Sequence, residues 1–211
     1  MTDRFIRLAP LTGVVFAVLS GVTFAITPSS PSAHASGAEV IAFYDAHHSV
    51  EKVSVIIGVI ALAFFMFFAT SLRGYLRRTD SVEGLGALVL AAAVLLTVGL
   101  AVSGGFAFAL ADAPNRLTPA VAQTLNLLDE DVFFAMSLGV GLFGIAGGLA
   151  ILRGARLPGW LGWVAIVLGV IAFTPLFGIA LVAVSLWTLV ASILIFRRSS
   201  DREAASASTG D

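Results

Sequence analysis

The sequence predicts an all-α membrane protein: a six-transmembrane-helix bundle with both termini cytoplasmic and two short interfacial helices on the outer side. Three observations lead there. The 211 residues are 58% hydrophobic and 12% charged, with mean hydropathy +1.00, against about 45–50% and about 25% in a soluble domain. Lipid must therefore solvate much of the surface. Apolar runs free of Asp, Glu, Lys, Arg and His recur along the chain, and ~20 such residues cross a hydrocarbon core about 30 Å thick. Arginines also gather in every second connecting segment, as the positive-inside rule requires.

The first run covers residues 8–27, with Pro10 in its first turn and Pro28 ending it. The second covers 53–72. The third, 85–111, is longer than a span needs at ~1.5 Å per residue. It is expected to tilt, or to bend near Ser103-Gly104-Gly105. The fourth covers 132–152. The fifth, 159–173, is short, and the sixth covers 178–196. Only Thr174-Pro175-Leu176-Phe177 separates these two. Their turn should lie at or slightly inside the outer interface, where its carbonyls need protein or water partners. Residues 1–198 form one membrane domain. Residues 199–211, SSDREAASASTGD, are small and polar and read as a disordered cytoplasmic tail.

With the N-terminus inside, the inner segments hold Arg4, Arg7, Arg73, Arg77, Arg78, Arg153, Arg156, Arg197, Arg198 and Arg202. The outer segments hold only Lys52 and Arg116. The acids divide as Asp3, Asp80, Glu83, Asp201, Glu203 and Asp211 inside. Outside are Glu39, Asp45, Glu51, Asp112, Asp129, Glu130 and Asp131. The faces thus carry +4 and −5, which together make the chain's −1. One competing reading is a signal peptide cleaved after Ala33-His34-Ala35, leaving five spans and a chain starting at Ser36. The first apolar run exceeds the 7–15 residues of an ordinary h-region, and the A-x-A lies well beyond it. An uncleaved helix is expected.

Small residues drive close packing of helices in lipid. The fourth span carries Ser137, Gly141, Gly144 and Gly148 on one stripe, and the fifth carries Gly162, Ala165, Gly169 and Ala172. A short loop makes these spans antiparallel neighbours, and the stripes are expected to face each other. Phe64, Phe65, Phe67 and Phe68 circle the second span, so some should face lipid. Trp160 and Trp163 suit an aromatic belt, while mid-span Trp187 should pack between helices.

In the first outer loop, Ser36-Gly37-Ala38-Glu39 matches a capping box ahead of Val40-Ile41-Ala42-Phe43-Tyr44, predicting a short interfacial helix. In the second, Thr118-Pro119 reads as an N-cap with proline at the first helical position. Val121, Leu125, Leu128 and Val132 then form an apolar stripe. Adjacent His47 and His48 raise a metal-site question. His47 and Glu51, one helical turn apart, form half of a divalent site that His48 or the Asp129-Glu130-Asp131 run, Asp131 included, would complete. H-E-x-x-H is absent. The alternative is that both histidines sit solvated in negative surroundings, with some pH response near neutrality.

The spans contain no ionisable residue, so the groups that normally mark ion paths or proton relays are missing. The intramembrane polar groups are hydroxyls, among them Ser20, Thr23, Ser54, Thr97, Ser103, Ser137, Ser185, Thr188 and Ser192. A serine nucleophile needs a base within hydrogen-bond reach, and none is expected at that depth. No cysteine is present, which removes disulfides, thiolate nucleophiles and Cys-ligated metals. No cofactor is expected. The partners implied are the lipid bilayer and either a membrane protein or a second copy of the chain; nothing points to nucleic acid.

Ala38-Glu39-Val40-Ile41-Ala42-Phe43-Tyr44-Asp45-Ala46-His47-His48, Leu72-Arg73-Gly74-Tyr75-Leu76-Arg77-Arg78 and Leu157-Pro158-Gly159-Trp160-Leu161-Gly162-Trp163 together carry a resemblance. The chain is similar to uncharacterised bacterial multi-pass integral membrane proteins of the domain-of-unknown-function type. That resemblance implies the architecture and a bacterial plasma membrane, and transfers no catalytic residues. The leading functional expectation is a non-enzymatic accessory or regulatory protein. The alternative is a small-molecule permease or channel working through hydroxyls and a glycine-lined cavity. The third is a membrane enzyme with an outward-facing metal site.

Overall fold

The structure, a computed structural model, describes residues 8–76, 83–154 and 157–208, with side chains as far as 198. Arg4, Arg7, Arg77, Arg78 and Arg156 of the inner charge count lie outside the described residues. All the regular structure of the described residues is helical, and they contain no strand. A 3₁₀ turn at Ala9–Leu11 leads into α1 (Thr12–Ile26), followed by α2 (Gly37–Leu76) and α3 (Glu83–Asp112). A second 3₁₀ turn, Pro114–Arg116, precedes α4 (Pro119–Asp131), α5 (Phe133–Leu152), α6 (Gly159–Ile171) and α7 (Phe177–Ser208). Five stretches are long and apolar enough to cross a membrane: Ala9–Ile26, Gly37–Leu76, Glu83–Asp112, Pro119–Leu152 and Phe177–Arg198. Gly159–Ile171 is a shorter apolar helix.

Six helices close into a ring in chain order, α1 on α2, α2 on α3, α3 on α5, α5 on α6, α6 on α7 and α7 back on α1. The Ser192 hydroxyl donates to the Pro10 carbonyl at that closing seam. Four aromatic side chains run through the centre. Phe16 of α1 lies 4.8 Å from Phe65 of α2, Phe65 lies 5.4 Å from Phe143 of α5, and Phe143 lies 6.0 Å from Trp187 of α7. Trp187 Nε1 donates to the Leu161 carbonyl at 2.9 Å, giving its polar tip a partner. The outside is the reverse of a water-soluble protein's: Phe134 is 72% and Ile179 63% exposed. Phe65 and Phe68 are buried while Phe67 faces out, and Trp160 and Trp163 are exposed. Surface of this kind needs an apolar solvent.

Between α5 and α6 the backbones press together. A methyl added at Gly144 would stand 2.5 Å from the Ala165 carbonyl oxygen, and one at Gly169 would stand 2.7 Å from the Gly141 carbonyl oxygen. At Gly148 the obstacle is the Gly162 carbonyl, and Ala165 and Ala172 are buried. α5 ends at Arg153, after which Gly154 takes φ 150°, a left-handed value suited to glycine.

Two expectations are corrected. The helix expected to lie apart in the interface is the first part of α2, which runs unbroken over 40 residues. No glycine or proline occurs between Gly37 and Gly58 to stop it. At ~1.5 Å per residue it is about 60 Å long, twice a hydrocarbon core. α3 continues through Gly104 and Gly105 as one helix. On α4 the apolar stripe is divided: Val121 and Leu128 are exposed, Leu125 packs on the cap core and Val132 on the main core, while Ala122 and Asn126 are buried. Finally, the segment expected without order continues α7 to Ser208. Its alanines, Glu203 and Arg202 are good helix formers that extend a helix already nucleated.

Candidate functional site

At one end of the ring, the first half of α2, the last turns of α3 and α4 build a cap. Its small core is Val40, Tyr44, Leu110, Ala111 and Ala122. α2 starts from a formed capping box. The Ser36 main-chain N–H and hydroxyl each donate to the Glu39 carboxylate at 2.8 Å, and the Glu39 N–H reaches the Ser36 hydroxyl at 3.4 Å. α4 starts from Thr118, whose hydroxyl accepts the Val121 N–H at 3.4 Å. Asn126 on its inner face donates to the Ser32 carbonyl at 3.1 Å and tethers the segment between α1 and α2.

Beneath this cap lies a cavity of about 250 Å³, walled by α1, α2, α3 and α7 and reached by Asp129 from α4. Its body is apolar: Phe16, Phe24, Val55, Val59, Leu62, Leu100 and Leu181. Its polar groups are the carboxyls of Glu51 and Asp129 and the hydroxyls of Ser20, Thr23, Thr27, Ser30, Ser54, Ser103 and Ser185. Glycines 58 and 104 open space on the α2 and α3 walls. Apolar walls with a few convergent polar groups are the usual make-up of a small-molecule site.

Each carboxyl is positioned by its element. Glu51 is 2% exposed and lies on the buried stripe of α2 that also holds Tyr44, Ser54, Ala61, Leu62 and Phe65. Its Oε1 has no hydrogen-bond donor. Ser54 does not serve it, because its hydroxyl donates to the Glu51 main-chain carbonyl at 2.9 Å. Asp129 stands on the inner face of α4, one turn beyond Asn126, and its Oδ1 accepts the Ser103 hydroxyl at 2.5 Å. Lys52 points away and pairs with Asp112 at 2.8 Å on the outside of the cap.

The residues suggested for a metal are not brought together. His47 Nδ1 is hydrogen-bonded at 2.8 Å to the Phe43 carbonyl, and its ring lies against Phe43. His48 is exposed, with Nδ1 2.9 Å from the Asp45 carbonyl. Asp131 is exposed, and of the four only Glu51 lines the cavity. Among the described residues no group of three His, Asp or Glu side chains is placed to hold a metal ion.

Two features of the site run against the sequence reading. A carboxylate does reach the depth of the span hydroxyls, since Asp129 meets Ser103 well inside α3. The sequence places Asp129 at the water's edge because it stands in the acidic run Asp129-Glu130-Asp131 just before an apolar span. Glu51 reads as solvated because the stripe through Tyr44, Glu51 and Ser54 is cut wherever α2 is divided in two. The signal that finds it is the unbroken helical spacing of the buried positions Val40, Tyr44, Glu51, Ser54, Ala61 and Phe65. Comparison with family models, with curated proteins and with solved structures gives no match for this chain.

Proposed function

We propose that this protein is a multi-pass membrane permease whose cavity is the loading site for a small amphipathic molecule. The observation that carries the reading is the cavity itself, apolar over most of its wall and acidic at its capped end. The rest of the molecule supports it. The reading has six crossings, the five long stretches together with α6, and both termini in the cytosol. The 13 residues of α6 span about 20 Å, so its turn into α7 sits within the interface, where Thr174 donates to the Ile171 carbonyl at 2.7 Å. The acidic cap then lies outside, in agreement with the unequal division of arginines. The reading assigns no reaction to the site, and the accessory role expected from the bare sequence gives way to ligand binding.

The test uses two water-soluble probes of one shape, 2-phenylethanol and 2-phenylethylammonium, titrated into the protein in dodecyl maltoside. At least one should bind saturably. Gly58→Leu should abolish that binding while leaving the fold intact, because a β-carbon there meets only the Thr23 methyl at 4.0 Å and the rest of the side chain grows into the cavity. Liposomes bearing the protein should exchange radiolabelled 2-phenylethylammonium faster than empty liposomes or liposomes with Gly58→Leu. Binding that survives Gly58→Leu unchanged would locate the ligand elsewhere and end this reading.

A further inference from the structure

Glu51 carries a buried carboxyl oxygen that the fold leaves without a donor. A carboxyl removed from water either keeps its proton or needs donors or an opposite charge to receive it. Glu51 is 2% exposed, its Oε1 has no donor, and the nearby Ser54 hydroxyl is committed to a main-chain carbonyl. Asp129, on the same cavity, adds a second negative group satisfied by one hydroxyl. Among the described residues the cavity is lined by no lysine, arginine or histidine. Lys52 is held outside by Asp112, and His47, one turn before Glu51, does not line the cavity.

Resting on the loading-site reading above, we propose that the cavity takes a molecule carrying a monovalent ammonium group, seated between Glu51 and Asp129 with its apolar body along the cavity wall. An ammonium brings up to three N–H donors and one positive charge, which is what the two carboxyls lack. Charge-assisted hydrogen bonds of this kind are about twice as strong as neutral ones. A bare metal ion fits worse, since the described residues offer it no third carboxylate or imidazole and the volume far exceeds one ion. Hydrocarbon suits the remainder of the space, with Phe16, Leu62, Leu100 and Leu181 along the wall. Phe24 and Val59 at the rim are 48% and 51% exposed toward what the membrane reading makes lipid. The ammonium therefore has two sources of the same chemistry, a free amine or the headgroup of an ethanolamine lipid.

The deciding measurement compares the two probes on the whole protein in dodecyl maltoside, a detergent with no amine. The wild-type protein should bind 2-phenylethylammonium at least tenfold more tightly than 2-phenylethanol. Glu51→Gln should erase that preference while still binding the alcohol, and Asp129→Asn should reduce it. Added dioleoylphosphatidylethanolamine decides the source. Competition at least tenfold stronger than from phosphatidylglycerol identifies a lipid headgroup, and no competition identifies a free amine; both support the proposal. Equal affinity for the two probes, or a preference intact in both variants, overturns it while leaving the cavity as a ligand site. Failure of both probes to bind removes the loading-site reading and this proposal with it.

Discussion

Ser103 and Asp129 stand 26 positions apart, and one hydrogen bond of 2.5 Å joins α3 to α4 through them. The bond gives a half-buried carboxylate a donor, and losing such a partner costs about 1–3 kcal/mol. Ser103→Ala should therefore lower the thermal stability of the detergent-solubilised protein by that amount. Thr124→Ala, on the same cap but with an exposed hydroxyl bonded only to its own helix at 2.8 Å, should change it by less than about 0.5 kcal/mol. Equal melting temperatures for the two variants would mean that the bond holds nothing. At this scale the sequence is legible where a residue's role is local. Ser36, Glu39, Thr118 and Pro119 can be read as helix starts because a cap acts within three residues. Asp129 and Glu51 cannot be read that way. Their burial depends on which helix lies opposite, and spacing along the chain does not contain that.

Helices pack in lipid by backbone approach, so what α5 excludes at its surface is informative. Gly144 meets the Ala165 carbonyl where a methyl would go, whereas a methyl at Gly147 would find only a Val89 methyl at 3.8 Å. Gly144→Ala should cost about 1–3 kcal/mol through forced separation of α5 and α6. Gly147→Ala should be neutral or slightly stabilising, since alanine is the better helix former by about 1 kcal/mol. Thermal melts of the two variants in one detergent check this, and a Gly147 variant as damaged as the Gly144 variant would contradict the observed face. The glycine spacing of α5 and α6 is readable in the sequence because a carbonyl at contact distance tolerates no side chain. Element boundaries are less readable. The helix carrying the histidines and Glu51 reads as separate from the next span because it is polar, yet polarity does not end a helix that lacks glycine and proline, and α2 passes straight through them. The divided stripe of α4 has a related cause: periodicity marks apolar positions, and only the surroundings decide which of them meet protein.

At the scale of the whole molecule, ring closure and the proposed orientation are separate claims. The ring rests on packing: α7 returns to α1, and the aromatic chain from Phe16 to Trp187 crosses the interior. Orientation rests on charge, because arginines resist translocation. It can be proposed from the sequence alone, since it depends on a sum over segments rather than on any contact. The weakest link is α6, whose 13 residues fall short of a full crossing at ordinary helical rise. The chain has no cysteine, so single cysteines can report each side in turn. His48→Cys, Arg153→Cys and Leu176→Cys occupy exposed positions in the cap, in the segment between α5 and α6, and in the segment between α6 and α7. In intact cells a membrane-impermeant maleimide should label the first and third, and should label Arg153→Cys only after the membrane is opened. Position 176 is the discriminating one. If it reacts only with Arg153→Cys, α6 turns back without crossing, the count falls to five, and the carboxyl terminus moves outside. In that case α6 would serve as a buttress pressed onto α5 by the Gly144 and Gly169 contacts, and the cap with Glu51 and Asp129 would keep its side, because His48→Cys reports that side independently.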